Sequence, residues 1–150
     1  MLDNNLFSPE KIMLTEFKLL REQLNVPEFF DSASSTGFHI DNSLQLGFSL
    51  ADMLVKVDFS IEIKTAYKGR HAEEASASFL FVFIYTIENL EELAKPDKKK
   101  IIAIDPELGN ALSSITYSTA RGILLMRLQG TALQHFVLPV INPNTLWVNK

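Results

Sequence analysis

Residues 117–147 decide the fold of this chain, and they divide into a helical part and an extended part. The helical part has the sequence YSTARGILLMRLQGT (117–131), and the extended part has the sequence VLPVINPNTLW (137–147). Apolar residues recur at helical spacing in the first part. Gly130 follows them at the place where a residue with a positive φ angle commonly ends a helix. The first part therefore predicts a helix that ends shortly before Gly130.

Prolines set the conformation of the second part. Pro139 and Pro143 disfavour the helical conformation in the residues before them, so residues 136–141 are predicted to be extended. Asn142 and Pro143 have the order of a helix cap and a first helical residue. This order predicts a short last helical turn that reaches Trp147.

A helix is also predicted directly before residue 117. Asp105 and Pro106 again have the order of a cap and a first helical residue. The helical pattern runs loosely to about Ser114, and a second helical segment covers Thr116–Leu128. We therefore expect a long C-terminal helical region.

Three earlier stretches, residues 38–50, 54–65 and 76–87, alternate between two faces as half-buried strands do. The third is apolar on both faces over its second half, so each face needs a cover. One row is predicted to be buried under the helix, and it consists of Phe79, Phe81, Phe83 and Tyr85. The opposite row is predicted to be exposed or covered by a partner, and it consists of Leu80, Val82 and Ile84.

Two further segments are less regular. Residues 8–26 fit a helix, because Ser8-Pro9-Glu10 has the order of a helix start, but they also fit a long irregular strand. Residues 88–106 form a connector of about 20 residues, a length that is usually functional. Lys98–Lys100 at its centre is predicted to be a solvated tip rather than a nucleic-acid contact, because Asp97 and an acidic chain surround it.

The composition describes a soluble globular chain, most simply one domain covering residues 1–150. Hydrophobic residues make up 47% of the 150 residues, and the net charge of −4 argues against a nucleic-acid partner. Cysteine is absent, which fits a reducing compartment. The first seven residues lack the features of a signal peptide, and no apolar run is long enough for a membrane helix. We therefore expect a cytoplasmic protein that does not insert into membranes.

Catalytic and cofactor motifs are missing from the sequence. His39, His71 and His135 have no partner at the spacing of a zinc site, and no phosphate-binding glycine loop occurs. Arg121 lies among apolar helix residues and is predicted to have a structural role. We expect no enzyme, no metal and no cofactor.

The order of these elements resembles the SecB protein-export chaperones. The similarity is strongest at the Y-x-x-A-R start of the helix, the G-T after it and the L-P-V-I-N-P arm. The residues to which the resemblance gives a structural role are Tyr117, Ala120, Arg121, Gly130, Pro139 and Asn142. It implies an α+β fold, in which a four-stranded antiparallel sheet carries the long C-terminal helix and the short last turn on one face. It favours a strand for residues 8–26.

The resemblance also implies a function. SecB-like proteins are chaperones that hold unfolded polypeptides in apolar grooves without ATP, and they form dimers that pair into tetramers. A homo-oligomer, dimer or tetramer, is therefore expected here. The client-binding residues that the resemblance implies are Tyr85, Leu90, Leu93, Ile101, Ile102, Leu146 and Trp147.

Two departures from the family pattern weaken the expectation of a role in protein transport with a SecA motor. The sequence ends at Lys150, shortly after the arm, and the row of Leu80, Val82 and Ile84 is uncharged where the family carries acidic motor contacts. A chaperone dedicated to one client, such as the antitoxin of a toxin–antitoxin pair, is the alternative. A subunit-interaction module without chaperone activity and, less favoured, a small-ligand protein or enzyme also remain open.

Overall fold

A computed structural model describes residues 6–67 and 74–146, and its centre is one sheet of four long strands. The strand order is β1-β4-β3-β2, and every neighbouring pair is antiparallel. The predicted α+β fold is confirmed. The strands are β1 (Ile12–Asn25), β2 (Ser35–Ser49), β3 (Leu54–Tyr67) and β4 (Ser76–Ile87).

Strand β1 settles the ambiguity of residues 8–26 in favour of a strand. The helix-like start is only a 3-10 turn at Pro9–Lys11. Two irregularities interrupt the pairing of β1 with β4, one at Thr15 and one at Leu20. Each inserts one extra residue, as a β-bulge does, so Leu14 and Phe17 share one face of the sheet although they are three residues apart.

The C-terminal helix α2 (Pro106–Arg127) is a single continuous helix rather than the two segments predicted from the sequence. It begins as predicted, because the Asp105 carboxylate accepts hydrogen bonds from the backbone N–H groups of Glu107 and Leu108 at 3.0 and 3.3 Å. Its buried stripe packs on the middle of the sheet. There the Tyr117 ring meets Phe59 of β3 edge-on, with ring centroids 6.0 Å apart.

The arm after α2 covers the β2 side of the same face. Gly130 has a φ angle of +75°, which is the left-handed conformation predicted for it. Phe136 is buried and meets Phe38 of β2 edge-on, with ring centroids 5.2 Å apart. The Tyr117 hydroxyl donates a hydrogen bond to the carbonyl of Pro139. A 3-10 turn at Pro143–Leu146 then packs against α2 and β2.

The connector is structured rather than a plain loop. It contains the four-residue helix α1 (Leu90–Leu93) and a small hairpin of strands β5 (Ala94–Pro96) and β6 (Ile102–Ile104). A hydrogen bond within the connector closes it just before α2, where the backbone N–H of Asp105 donates to the carbonyl of Leu93 at 2.6 Å.

Candidate functional site

The face of the sheet that carries α2 is covered unevenly, and β1 is its open side. Leu14, Phe17 and Leu24 of β1 pair with helix-side residues of β4 and therefore share their face. Their exposed fractions are 44%, 40% and 41%. We call these three residues the β1 surface. Phe17 is anchored by the rings of Phe81 and Phe83, with ring centroids 6.1 and 5.1 Å away.

The β1 surface is open because α2 lies over β3 and β4 while the arm lies over β2. An ion pair joins α2 to β1. The Arg127 guanidinium donates two hydrogen bonds to the Glu22 carboxylate, one of them at 2.8 Å. This pairing raises the pKa of Arg127. Within the described part of the chain, β4 is the only strand that pairs with β1, so the outer edge of β1 is available for another strand.

A second apolar surface lies on the connector, which follows β4. Ile101 is 61% exposed, and Ile102 is half-buried. We call Ile101 and Ile102 the connector surface. Leu146 is half-buried in the last turn, which packs against α2 and β2.

The tip of the connector hairpin has a defined backbone. The Asp97 carboxylate accepts hydrogen bonds from the backbone N–H groups of Lys99 and Ile101, at 2.7 and 3.0 Å. The backbone N–H of Asp97 donates to the carbonyl of Ile101 at 2.8 Å, and Lys100 has a φ angle of +64°. The predicted solvated tip is therefore an ordered turn whose three lysine side chains are exposed.

Three of the predicted client-binding residues belong to the core. Tyr85, Leu90 and Leu93 are buried, and the Tyr85 hydroxyl forms a hydrogen bond with Thr116 of α2 at 2.8 Å. Tyr85 is buried because side chains alternate along β4 and Tyr85 continues its helix-side row, which is buried as the sequence pattern predicted. In this conformation these three residues offer no surface to a client. Trp147 lies outside the described residues.

Ile101, Ile102 and Leu146 are the predicted client-binding residues that keep accessible surface. The first two follow each other on the connector hairpin, whereas Leu146 belongs to the last turn of the arm. Their assignment to a client site stays a prediction.

The opposite row of β4 is also less open than predicted. Val82 is only 2% exposed, and Leu80 and Ile84 are half-buried. On this outer face Val82 lies between Lys18 of β1 and Asp58 of β3, according to the strand register. Long charged side chains cover apolar neighbours with their hydrocarbon stems. The chain thus covers Val82 with its own residues, and a partner on this row stays a prediction.

The residues predicted to be structural occupy positions that fit such roles. Ala120 is fully buried under the sheet, and Arg121 is half-buried. Burial raises the pKa of Tyr117, and the charge of Arg121 opposes that shift. Asn142 starts the last turn, where its carbonyl accepts the backbone N–H of Thr145 at 3.1 Å.

The β1 surface was missed by sequence reasoning. Its signal was present in the apolar residues Leu14, Phe17, Leu19 and Leu24, but the two bulges break their alternation. A strand pattern that changes phase twice does not show period two. Strand register was needed to place these residues on one face.

Among residues 6–67 and 74–146, no group of three or more histidine, aspartate or glutamate side chains is placed to hold a metal ion. Nor does any helix there have the length and apolar character required to cross a membrane.

Comparison with known proteins adds a fold likeness. No protein-family model matches the sequence, and no curated protein matches it significantly. Among solved structures, the SecB-like chaperone Rv1957 of Mycobacterium tuberculosis, in complex with a ChAD peptide from the antitoxin HigA1 (Rv1956), has a TM-score of 0.63. It is 15% identical, and the match covers 88% of this chain and 91% of that one.

A protein of unknown function from Streptococcus agalactiae has a TM-score of 0.32 and 9% identity, with 86% of this chain and 97% of that chain covered. The likeness in fold is thus to the mycobacterial protein, whose TM-score is 0.63. The strand order, the long helix and that likeness together show that this chain has the fold of the SecB-like chaperones.

Proposed function

We propose that this chain is a SecB-like chaperone that holds an extended segment of a client polypeptide, without catalysis, ATP or a cofactor. The observation that carries the proposal is the connector surface, an ordered apolar site on a fold that a peptide-binding chaperone shares. Burial of apolar area contributes about 25 cal/mol per Å² and accepts any apolar segment. An extended client needs no folded shape to use it.

The client is proposed to be one or a few proteins rather than many exported ones. The mycobacterial protein with this fold was solved with a peptide from an antitoxin. An antitoxin-like client is therefore the first choice for this chain, ahead of general protein transport with a SecA motor.

The β1 surface is proposed to be covered by a second copy of the chain. An edge strand can pair with its own copy in antiparallel orientation, which gives a two-fold interface with the same residues on both sides. Such pairing would bury Leu14, Phe17 and Leu24 and satisfy the open edge of β1. The two apolar surfaces then have separate roles, one for assembly and one for the client.

The client site is tested by the substitution Ile101→Asp, because Ile101 is 61% exposed whereas Ile102 also packs against the core. We expect this variant to keep its fold and its mass in solution but to lose most of its ability to delay aggregation of a denatured client. A carboxylate at an apolar contact removes its favourable burial and adds a desolvation cost. Aggregation is followed by light scattering, and solution mass by size-exclusion chromatography with light scattering.

Val140→Asp is the matched control, because Val140 is another exposed apolar side chain (84% exposed) that lies on the arm and not on the connector. Equal loss in the control and in Ile101→Asp would remove the connector surface from the client site. A wild-type chain that never delays aggregation would refute the proposed function itself.

A further inference from the structure

We infer that the lysine tip of the connector hairpin selects clients whose apolar segment is flanked by acidic residues. The tip consists of Lys98, Lys99 and Lys100. This inference rests on the proposed function and names the kind of client that the connector surface accepts. It gives a specific role to a lysine run that the sequence alone presents as a solvated turn.

The first support is the order of the tip. Two hydrogen bonds to the Asp97 carboxylate and two backbone hydrogen bonds close the turn. The backbone that carries the lysines is thus fixed relative to β5 and β6. A fixed backbone places the three ammonium groups in one small region, so a partner meets their combined charge instead of three independent charges.

The second support is the segregation of charge along the connector. The whole chain has a net charge of −4, yet residues 97–100 carry three lysines and one aspartate. That aspartate is already engaged by backbone N–H groups. The exposed acids Glu91 and Glu92 lie in α1, before β5. The tip is therefore a local positive region on an acidic protein.

The third support is the lack of internal partners for the lysines. The ion pairs found within residues 6–67 and 74–146 join Lys18 to Glu16, Lys56 to Asp58 and Arg127 to Glu22. None of them involves the tip. Its three charges face solvent and remain available to a partner's carboxylates.

The fourth support is position, since Ile101 directly follows Lys100 and is the most exposed residue of the connector surface. A client side chain that packs on Ile101 brings its neighbours in sequence next to the ammonium groups. Aspartate or glutamate at those neighbouring positions gains attraction, whereas lysine or arginine meets repulsion. The overall negative charge would favour basic clients, so the tip reverses that preference locally.

The test uses three labelled peptides with one apolar core, flanked on both sides by Asp, by Ser or by Lys. Dissociation constants are measured by fluorescence anisotropy at low and at high salt. We expect the Asp-flanked peptide to bind about tenfold more tightly than the Lys-flanked one at low salt, from a few exposed charge contacts. The difference should shrink at high salt because exposed charges are screened.

The variant Lys98→Glu with Lys99→Glu should invert the order of the two charged peptides. Lys100 is left unchanged because its positive φ angle makes the turn sensitive to substitution. The matched control is Lys18→Glu with Lys64→Glu, which changes the net charge equally on the outer face of the sheet. The control should keep the preference for the Asp-flanked peptide.

Two results would overturn the inference alone. One is equal binding of all three peptides to the wild-type chain, and the other is loss of preference in the control as complete as in the tip variant. If a short single-stranded oligonucleotide binds through the tip lysines while peptides show no preference, the partner is nucleic acid and the inference is wrong. If no peptide binds, the proposed function fails and the inference fails with it.

Discussion

The two edges of the sheet are similar in length but opposite in cover. Edge strand β2 has 15 residues, and its helix-side residue Leu44 is fully buried where the C-terminal arm lies over that side. Edge strand β1 has 14 residues, and its helix-side residue Leu14 is 44% exposed. The chain covers one edge of its sheet with its own arm and leaves the other open.

The contrast separates stability from assembly. Residues at the covered edge contribute to the folding of a single chain, because their apolar area is buried within it. Residues at the open edge contribute little to that folding and are free to be buried against a second copy. Substitutions at the covered edge should therefore change mainly the free energy of unfolding, and substitutions at the open edge mainly the association of two copies.

The largest loss of stability is expected when the covered edge loses its cover. Phe136→Ala removes a fully buried ring that packs on Phe38, and such changes typically cost about 3–5 kcal/mol. The free energy of unfolding is measured by urea denaturation. Val137→Ala, at an exposed position of the same arm, should cost less than about 0.5 kcal/mol. Equal effects would mean that the arm does not hold the β2 edge.

An intermediate effect is expected at the centre of the sheet, which both edges share. Tyr85→Phe leaves the buried Thr116 hydroxyl without its hydrogen-bond partner, at a cost of about 1–3 kcal/mol. This variant tests whether the contact between sheet and helix excludes water, as the burial of Tyr85 and Thr116 indicates. A neutral effect on urea denaturation would indicate that water already reaches Thr116.

The same tyrosine predicts a pH dependence. Burial raises the pKa of Tyr85, and its hydrogen bond with Thr116 partly opposes that shift. The protonated tyrosine is thus favoured in the folded state, so its contribution is fully present below the unfolded pKa of about 10 and is lost as pH rises above it. Tyr85→Phe should flatten this alkaline loss, and part of it should remain because the pKa of Tyr117 is also raised.

The smallest change in single-chain stability is expected at the open edge. Leu14→Glu alters a side chain that is almost half exposed, so unfolding should change by less than about 1 kcal/mol. Its solution mass, in contrast, should fall to that of one chain, because the proposed two-fold interface would then bury one carboxylate from each copy among apolar side chains. Gln23→Glu, on the same strand but the outer face, should keep the oligomer. An unchanged mass for Leu14→Glu would place the assembly surface elsewhere.

Much of the fold could be predicted from local pattern. Strand β4 has the bounds that its alternation indicated, and β2 and β3 differ from prediction by a few residues. The Asp105 cap and the left-handed Gly130 are local effects of single residues, which is why the sequence shows them. The one helix error, a division near Ser114, arose because two serines and a β-branched residue lower helix propensity, while packing on the sheet overrides it.

The candidate site was less predictable because exposure depends on contacts that are distant in sequence. Tyr85 is buried because α2 lies over it, whereas Ile101 is exposed at the turn of the connector hairpin. In β1 each bulge lengthens one interval between helix-side residues from two residues to three, from Leu14 to Phe17 and from Leu19 to Glu22. The pattern left residues 8–26 open between a helix and a strand, and the resemblance to the SecB family favoured the strand.

The bulges also decide where this chain can change length. Loss of one residue inside a regular strand turns every residue on one side of the change to the opposite face. Loss of Thr15 would instead leave Leu14 and Glu16 as direct neighbours on their present faces, at the expense of the Thr15 hydrogen bonds to β4. Thr15 and Leu20 are therefore the two positions of β1 at which a deletion preserves the pattern of inward and outward residues.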